Sequence, residues 1–181
     1  MSIFMVSDTH FGHNKNFIFE PRGFTTVEEH DETIIQNWNS VVKLEDEVFH
    51  LGDVFLVDNG HGMECLNRLN GHIHIIRGNH DSETRLELFK TSPNVVEVCD
   101  GKFFHFKKFH FFLSHFPCLT SNLDIDKPLF ARTLNLCGHS HTQDSFADWD
   151  KGTIFHVELD TNNCFPWNIE EIIELMKEHS N

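Results

Sequence analysis

Several short apolar segments of this chain each stop at a polar or glycine-containing motif. Residues 3–7, 47–51 and 72–76 are β-prone runs that lead into SDTH, GD and RGNHD. A short apolar run bounded by turn residues is typical of a buried strand that feeds a loop. The pattern predicts a sheet whose strands end in loops bearing polar side chains.

Amphipathic helices are predicted between these strands. Apolar residues recur at helical spacing within residues 25–42, where Thr25 or Thr26 is suited to cap the helix. Further helices are predicted at 63–69, at 83–90 and after Asn168. The first half therefore alternates strand and helix, as βαβ units do.

The second half of the chain is richer in strands. They are predicted at 95–99, 102–106, 109–114, 134–137 and 153–159. Lys107 and Lys108 are placed at a hairpin tip, and 119–129 is predicted to be an exposed loop. A length of 181 residues suits one hydrophobic core. We therefore predict a single α/β domain over 1–181, built on two sheets.

The charge balance bears on what the chain can bind. Its formal net charge is -14, which disfavours a long nucleic acid because such binding depends on Lys and Arg neutralising phosphates. Bound divalent cations would reverse the local field, so a small phosphorylated substrate, including a nucleotide, is compatible with this charge.

The cysteines and the N-terminal segment bear on location. Five scattered cysteines without a CxxC pair predict neither a disulfide framework nor a zinc ribbon. The opening MSIFMVSDTH lacks a basic region followed by a long apolar stretch, and no segment has the length of a membrane span. We expect a cytoplasmic protein that does not enter a membrane.

Metal-binding side chains follow five of the predicted strands. The motifs VSDTH, HLGD, RGNHD, LSHFP and LCGHSH supply Asp8, His10, Asp53, Asn79, His115, His139 and His141. Residues at alternating positions of an extended segment point the same way, so Asp8 and His10 are expected to address one ion or adjacent ions. The same holds for His139 and His141. A bridging carboxylate is typical of two-metal hydrolases, and Asp53 is the candidate bridge.

The order of these motifs resembles the calcineurin-like metallophosphoesterase superfamily. The pattern D-x-H, G-D, G-N-H-D, a lone H and G-H-x-H runs from Asp8 to His141. Five ordered blocks are far more specific than any one of them. The D-T-H-F-G-H start is similar to a small stand-alone subgroup. The resemblance implies a four-layer α/β/β/α sandwich of two mixed sheets.

The resemblance also implies a role for each motif residue. One metal would be held by Asp8, His10 and His141, the other by Asn79, His115 and His139, with Asp53 between them. His80 would act as general acid or charge stabiliser, and Asp81 would orient its ring. Asn79 would also contact substrate. The donor set suits two divalent ions, with Mn favoured and Fe, Zn, Ni or Co as alternatives.

The implied activity is hydrolysis of phosphate esters by a hydroxide that two metal ions activate. A phosphodiesterase acting on small or nucleotide-like substrates is favoured, because the chain is short and acidic. A phosphomonoesterase, including a protein phosphatase, and a nuclease would have the same metal core. A non-catalytic protein-interaction scaffold is the alternative from another class, and it would be expected if ligands were missing.

Other residues admit two interpretations. His13 either lines the substrate pocket or is a solvated loop histidine. Arg77 and Arg22 either bind phosphate or form surface salt bridges. His50 is predicted to be structural, with a satisfied nitrogen. The Phe-rich residues 103–112 are predicted to form an aromatic core, or a homodimer surface if part of them is exposed.

Overall fold

The computed structural model describes residues 1–120 and 126–180. Its strands are β1 Ile3–Val6, β2 Glu47–His50, β3 His72–Ile76, β4 Val95–Cys99, β5 Lys102–Phe106, β6 Phe109–Leu113, β7 Thr133–Cys137, β8 Ile154–His156 and β9 Trp167–Asn168. Its helices are α1 Asn16–Phe19, α2 Val27–Val41, α3 Asn59–Asn67, α4 Glu83–Phe89, α5 Trp149–Gly152 and α6 Ile169–His179.

The strands form two mixed sheets. The first has the order β4-β3-β2-β1-β9, in which β1 to β4 are parallel and β9 is antiparallel to β1. The second has the order β5-β6-β7-β8, with an antiparallel β5-β6 hairpin and parallel pairing beyond it. The predicted fold, two mixed sheets flanked by helices, is confirmed.

Two hydrophobic clusters hold these layers together. In the first, Trp38 of α2 and Phe89 of α4 pack against the first sheet through residues such as Ile73. In the second, residues such as Phe49 of the first sheet meet Phe111 of the second, together with the apolar face of α6. The first sheet is therefore covered by apolar side chains on both faces, as parallel strands require.

Several predicted boundaries need correction. The helix predicted at 63–69 begins four residues earlier, because the Asp58 carboxylate caps it by accepting from the N–H groups of Gly60 and His61. The strand predicted at 153–159 ends at His156 and passes into a 3-10 turn at Leu159–Thr161. The helices α1 and α5 and the strand β9 were not predicted, since each spans four residues or fewer.

The structure also bears on the predicted hairpin tip, the predicted exposed loop and the prediction about the membrane. Lys107 and Lys108 do form the hairpin tip, with Lys107 in a left-handed conformation at φ 52°. The predicted exposed loop at 119–129 lies partly outside the described residues. Within the described chain, no helix is long and apolar enough to cross a membrane.

His50 is a buried structural histidine, but only one of its ring nitrogens is satisfied. The hydroxyl of Thr9 donates to the carbonyl of Val54, so at 2.9 Å His50 Nε2 must be the donor to Thr9 Oγ1. Nδ1 is buried and has no hydrogen-bond partner among the described residues. Burial therefore lowers the pKa of His50 to about 3.

This histidine should make the fold sensitive to acid. Unfolding returns the pKa to about 6.5, so the unfolded chain binds the extra proton between roughly pH 6.5 and 3, and stability falls as pH falls. Between pH 7 and 5 we expect His50 to account for about 2 kcal/mol of lost unfolding free energy. Urea unfolding of wild type and His50→Leu at both pH values measures this loss, and equal losses in the two proteins would contradict the prediction.

Candidate metal centre

The predicted metal-binding residues all lie at the carboxyl ends of parallel strands. The loops after β1, β2 and β3 carry Asp8 and His10, Asp53, and Asn79. The loops after β6 and β7, in the second sheet, carry the three further histidines His115, His139 and His141. Packing of the two sheets brings these five loops to one site.

The backbone of this site is not extended, which corrects the geometry expected from the sequence. Asp8 has φ 59° and His10 has φ 49°, while His139 has φ 78° and His141 has φ 49°. These left-handed conformations are costly for residues with a Cβ. Hydrogen bonds hold the first two in place: the N–H of Asp8 donates to the carbonyl of Gly52, and that of His10 to the carbonyl of Asp53.

Glycines permit the close approach of two of these loops. Gly52 has φ 95°, and a methyl group there would lie 2.5 Å from the backbone nitrogen of Gly78 and 2.9 Å from Nδ1 of His115. Only glycine fits both the conformation and the space. Gly52, which precedes Asp53 in the sequence, therefore allows the two loops to approach each other at the site.

Asp8, His10 and His141 form one set of donors, called here the Asp8 set. His10 Nε2 lies 3.5 Å from Asp8 Oδ1 and 3.1 Å from His141 Nε2. Asp8 Oδ1 is buried without a hydrogen-bond partner among the described residues. Burial alone would raise the pKa of Asp8, but the adjacent His10 and the other neighbouring imidazoles hold that pKa well below its usual value.

Asn79, His115 and His139 form a second set, called here the Asn79 set. Asn79 Oδ1 lies 2.8 Å from His115 Nε2 and 2.8 Å from His139 Nδ1. His115 Nδ1 donates to the carbonyl of Leu51 at 2.8 Å, which leaves the lone pair of the neutral ring on Nε2. An amide oxygen and an imidazole lone pair repel each other unless they share a proton or a cation.

Asp53 lies between the two sets. Its Oδ2 is 3.7 Å from His10 Nε2 and 3.5 Å from His115 Nε2. Its Oδ1 accepts the backbone N–H of His80 at 2.8 Å. The carboxylate is almost completely buried, so its charge is poorly screened by water.

These donors fit divalent cations. Two overlapping triads, Asp8 with His10 and His141, and Asp8 with Asp53 and His115, have ligand atoms that all lie within 4.8 Å of one another. The unpartnered Asp8 oxygen and the opposed acceptors of the Asn79 set are groups that a cation would satisfy. Nitrogen and oxygen donors without a thiolate suit the metals predicted from the sequence, and the identity of the metals stays a prediction.

His80 projects at the edge of the site. Its side chain is 46% exposed, and Nε2 lies 3.9 Å from Asp53 Oδ2. Its backbone is fixed on both sides, because its carbonyl also accepts from Arg85 Nη1 at 2.6 Å. The imidazole is therefore held beside the site by its main chain while its outer edge faces solvent.

Asp81 does not orient the ring of His80, contrary to the prediction. Its Oδ2 accepts the backbone N–H groups of Asp53 and Gly78, each at 2.8 Å, and its Oδ1 accepts that of Val54 at 3.4 Å. Burial raises its pKa. The side chain is directed inward to tie two loops of the site together, so it is a positioning residue.

His13 lies next to the Asp8 set, at the outer edge of the site. Its ring centroid is 5.4 Å from that of His10, and its Nδ1 is buried without a hydrogen-bond partner among the described residues. Burial and the charge of His10 lower the pKa of His13 to about 4. It is thus neutral near pH 7, and its role in substrate binding stays a prediction.

The two arginines are already paired with carboxylates. Arg77 Nη2 lies 2.5 Å from Glu83 Oε1, and Arg77 Nη1 lies 3.7 Å from Asp100 Oδ1. The side chain of Arg22 is only 1% exposed and binds both carboxylate oxygens of Asp160. Arg22 therefore forms a buried ion pair, neither the surface salt bridge nor the phosphate clamp considered from the sequence.

Two carboxylates that position the last motif were missed by the sequence analysis. Asp160 Oδ2 lies 3.2 Å from His141 Nδ1, so it holds that ring with Nε2 toward Asp8. Glu158 Oε1 accepts the backbone N–H of Ser140 at 3.1 Å. Both residues follow β8 at alternating positions. The same sequence pattern relates Asp8 to His10 and His139 to His141.

Comparison with known proteins gives matches over most of the chain. A sequence model of the calcineurin-like phosphoesterase superfamily domain matches residues 1–157. An uncharacterized protein of Methanocaldococcus jannaschii is 32% identical over 180 residues, which cover 97% of this chain and 91% of that protein. The gene 66 protein of Mycobacterium phage L5 is 37% identical over 79 residues, covering 41% of this chain and 37% of that protein.

A solved structure also matches. It is a protein of unknown function from Aquifex aeolicus, with a TM-score of 0.74 and 25% sequence identity, covering 96% of this chain and 98% of that one. The family match spans every motif from Asp8 to His141, and these motifs converge on one site between two mixed sheets. The chain belongs to the calcineurin-like phosphoesterase superfamily.

Proposed function

We propose that this protein is a metal-dependent hydrolase of phosphate esters, and more narrowly a phosphodiesterase acting on small or nucleotide-like substrates. The observation that carries the proposal is the position of the buried Asp53 carboxylate, 3.7 Å from His10 Nε2 and 3.5 Å from His115 Nε2. A carboxylate between two sets of donors is suited to bridge two cations.

Each part of the site has a chemical role in this proposal. Two divalent cations, held by the Asp8 and Asn79 sets, would supply positive charge that activates water and neutralises phosphoryl oxygens. Asn79 would contact a phosphoryl oxygen through its amide nitrogen. As the ester bond to phosphorus breaks, His80 would donate a proton to the departing oxygen. Water replaces the departing group, so no covalent enzyme intermediate is required.

The surroundings of the site support a small substrate with an aromatic group. A cavity of about 480 Å³ adjoins Asn79 and His115 and is lined in part by Phe116. Phe116 is 49% exposed, and its ring lies 4.6 Å from the ring of His139, centroid to centroid. An exposed phenyl ring beside a phosphate site offers a stacking surface for a nucleobase.

A substrate screen tests the proposal. Metal-free protein is reconstituted with Mn²⁺ and assayed on phosphomonoesters, linear phosphodiesters, cyclic nucleotides and single-stranded polynucleotides. We expect linear or cyclic diesters to give the highest kcat/KM. Preference for monoesters would favour a phosphatase and preference for polynucleotides a nuclease. Absence of hydrolysis with Mn, Fe, Zn, Ni and Co would favour the protein-interaction scaffold.

Replacing Phe116 by alanine should weaken binding of nucleotide substrates. We expect KM to rise about tenfold with little change in kcat, because stacking on a base contributes about 1–3 kcal/mol. Steady-state kinetics on a nucleotide diester and on an aliphatic diester measure the effect. Phe130→Ala is the matched control, since Phe130 is 45% exposed and lines a different cavity. An equal rise in KM for both substrates would count against stacking.

A further inference from the structure

A second cluster of metal-binding side chains lies outside the metal centre. It consists of Asp31 of α2 with His61 and Cys65 of α3, whose ligand atoms all lie within 4.8 Å of one another. His61 Nε2 is 2.7 Å from Asp31 Oδ2 and 3.5 Å from Cys65 Sγ. None of these residues belongs to the motifs of the metal centre.

The helices position these three groups for a common ligand. His61 and Cys65 are four residues apart, so they share one face of α3. Asp31 and Cys65 are buried, whereas the side chain of His61 is 43% exposed. Asp31 is held from its other side, because its Oδ1 lies 2.8 Å from His30 Nδ1. Asp31 and Cys65 are therefore fixed in the interior, whereas His61 is accessible from solvent.

We propose that Asp31, His61 and Cys65 bind a soft divalent cation such as Zn²⁺, with water as the fourth ligand. Thiolate, imidazole and carboxylate together are zinc ligands, whereas the metal centre contains no cysteine. Tetrahedral zinc at about 2.0–2.3 Å from each donor places ligand atoms roughly 3.3–3.7 Å apart. The 3.5 Å between His61 Nε2 and Cys65 Sγ already falls in this range, and the 2.7 Å between His61 Nε2 and Asp31 Oδ2 would widen by about 0.6 Å through a shift of the exposed His61 ring.

Binding requires the thiol of Cys65 to lose its proton. Burial, and then the charge of Asp31, raise the pKa of Cys65 to about 12, so the metal-free cysteine is a neutral thiol. On binding, the sulfur would bond to the cation and release its proton to solvent, while exchange with solvent would move the proton that His61 Nε2 donates to Asp31 Oδ2 onto Nδ1 and free the Nε2 lone pair for the cation. The thiolate and the Asp31 carboxylate then balance the two positive charges of the cation. No redox step takes place.

A cation in this cluster would link α2, α3 and the first loop of the metal centre. Asp31 Oδ2 accepts the backbone N–H of Gly12 at 2.8 Å, and Gly12 lies between His10 and His13 in the first loop of the metal centre. Ligation of Asp31 to α3 would therefore fix α2, α3 and this loop relative to one another. The site would be structural, and its binding does not depend on the proposed hydrolase activity.

Cobalt binding tests the proposal through an absorption that only a thiolate ligand produces. Full-length metal-free protein is first saturated with Mn²⁺ and then titrated with Co²⁺. We expect a near-ultraviolet thiolate-to-cobalt charge-transfer band whose final intensity corresponds to one thiolate-bound Co²⁺ per chain and which disappears when Zn²⁺ is added. Cobalt that exchanges into the metal centre gives no such band, because the donors there are nitrogen and oxygen.

Three variants assign the band. Cys65→Ser should abolish it, and His61→Ala, at a partly exposed position where folding is easily retained, should weaken Co²⁺ binding by at least about tenfold. Cys118→Ser is the control, since Cys118 lines the cavity beside the metal centre and is the competing source of a thiolate ligand. Absence of the band in wild type, its persistence in Cys65→Ser, or its loss in Cys118→Ser would overturn the proposal.

Thermal unfolding provides a second measurement. At a Zn²⁺ concentration about a hundredfold above Kd, we expect Tm of the Mn²⁺-loaded wild type to rise by about 5 °C. The rise should be absent in His61→Ala, which retains the metal centre. An equal rise in both proteins would mean that zinc stabilises the chain elsewhere and would refute this assignment.

Discussion

Replacing Asp53 by asparagine should lower kcat/KM on a phosphodiester by at least about a hundredfold. Asp53 Oδ2 lies between the Asp8 and Asn79 sets, 3.7 Å from His10 Nε2 and 3.5 Å from His115 Nε2. The amide keeps the shape of the side chain but removes a buried negative charge. We expect the metal bound at this centre to fall from two ions to one or none, because the single remaining carboxylate, Asp8, does not offset two divalent charges.

Metal content and turnover are to be measured on the same samples, by elemental analysis and steady-state kinetics. Asp58→Asn is the control: Asp58 caps α3 outside the site, and asparagine is an equally good N-cap. It should leave both quantities unchanged. If Asp53→Asn retained two ions and wild-type kcat/KM, Asp53 would not bridge the two sets, and the central observation behind the proposed function would fail.

The spacing of apolar residues predicted much of the fold, because the residues that recur with the period of a strand or a helix are also the ones that are buried. The strands β3, β4 and β5 begin and end where the sequence predicts them, and α2 begins after its predicted cap Thr26. Ile169, Ile172, Ile173 and Met176, which recur at helical spacing after Asn168, are all buried in α6. These elements follow from alternation or helical spacing alone.

The ordered motifs and their resemblance to the superfamily indicated which side chains meet, and the structure brings these side chains together at the carboxyl ends of strands from two sheets. The sequence did not predict how the backbone presents them. The left-handed conformations of Asp8 and His10 depend on tertiary hydrogen bonds, and residues with a Cβ are not expected there from sequence. The inward direction of Asp81 likewise depends on backbone N–H groups of the distant residues Asp53 and Val54 as well as on that of nearby Gly78.

Features that depend on contacts between distant segments of the chain could not be predicted from the sequence. Arg22 and Asp160 are 138 residues apart and form a buried ion pair that no local pattern reveals. Asp31 approaches His61 only because α2 and α3 pack on the same sheet face. The four-residue spacing of His61 and Cys65 does not by itself predict a metal site, because the third donor lies 30 residues away from His61. Sites formed by contacts between such distant residues can be identified only from the tertiary structure.

Replacing His80 by glutamine should lower kcat by at least about a hundredfold on a diester with an alkyl leaving group. The His80 side chain is 46% exposed with Nε2 3.9 Å from Asp53 Oδ2, so it can reach a substrate bound at the metal centre. Its backbone N–H and carbonyl are both hydrogen-bonded, and glutamine can keep these bonds. We therefore expect KM and metal content to stay near their wild-type values.

The dependence on the leaving group distinguishes proton donation from other roles of His80. An alkoxide needs a proton to depart, whereas a nitrophenolate departs without one, so the loss of kcat should shrink to a few-fold on a nitrophenyl diester. His72→Gln is the control, because His72 has a side-chain exposure of 51% and lies on a strand away from the site. Equal losses on both substrates would assign His80 to charge stabilisation of the phosphoryl group, since that contribution does not depend on how the leaving group is protonated.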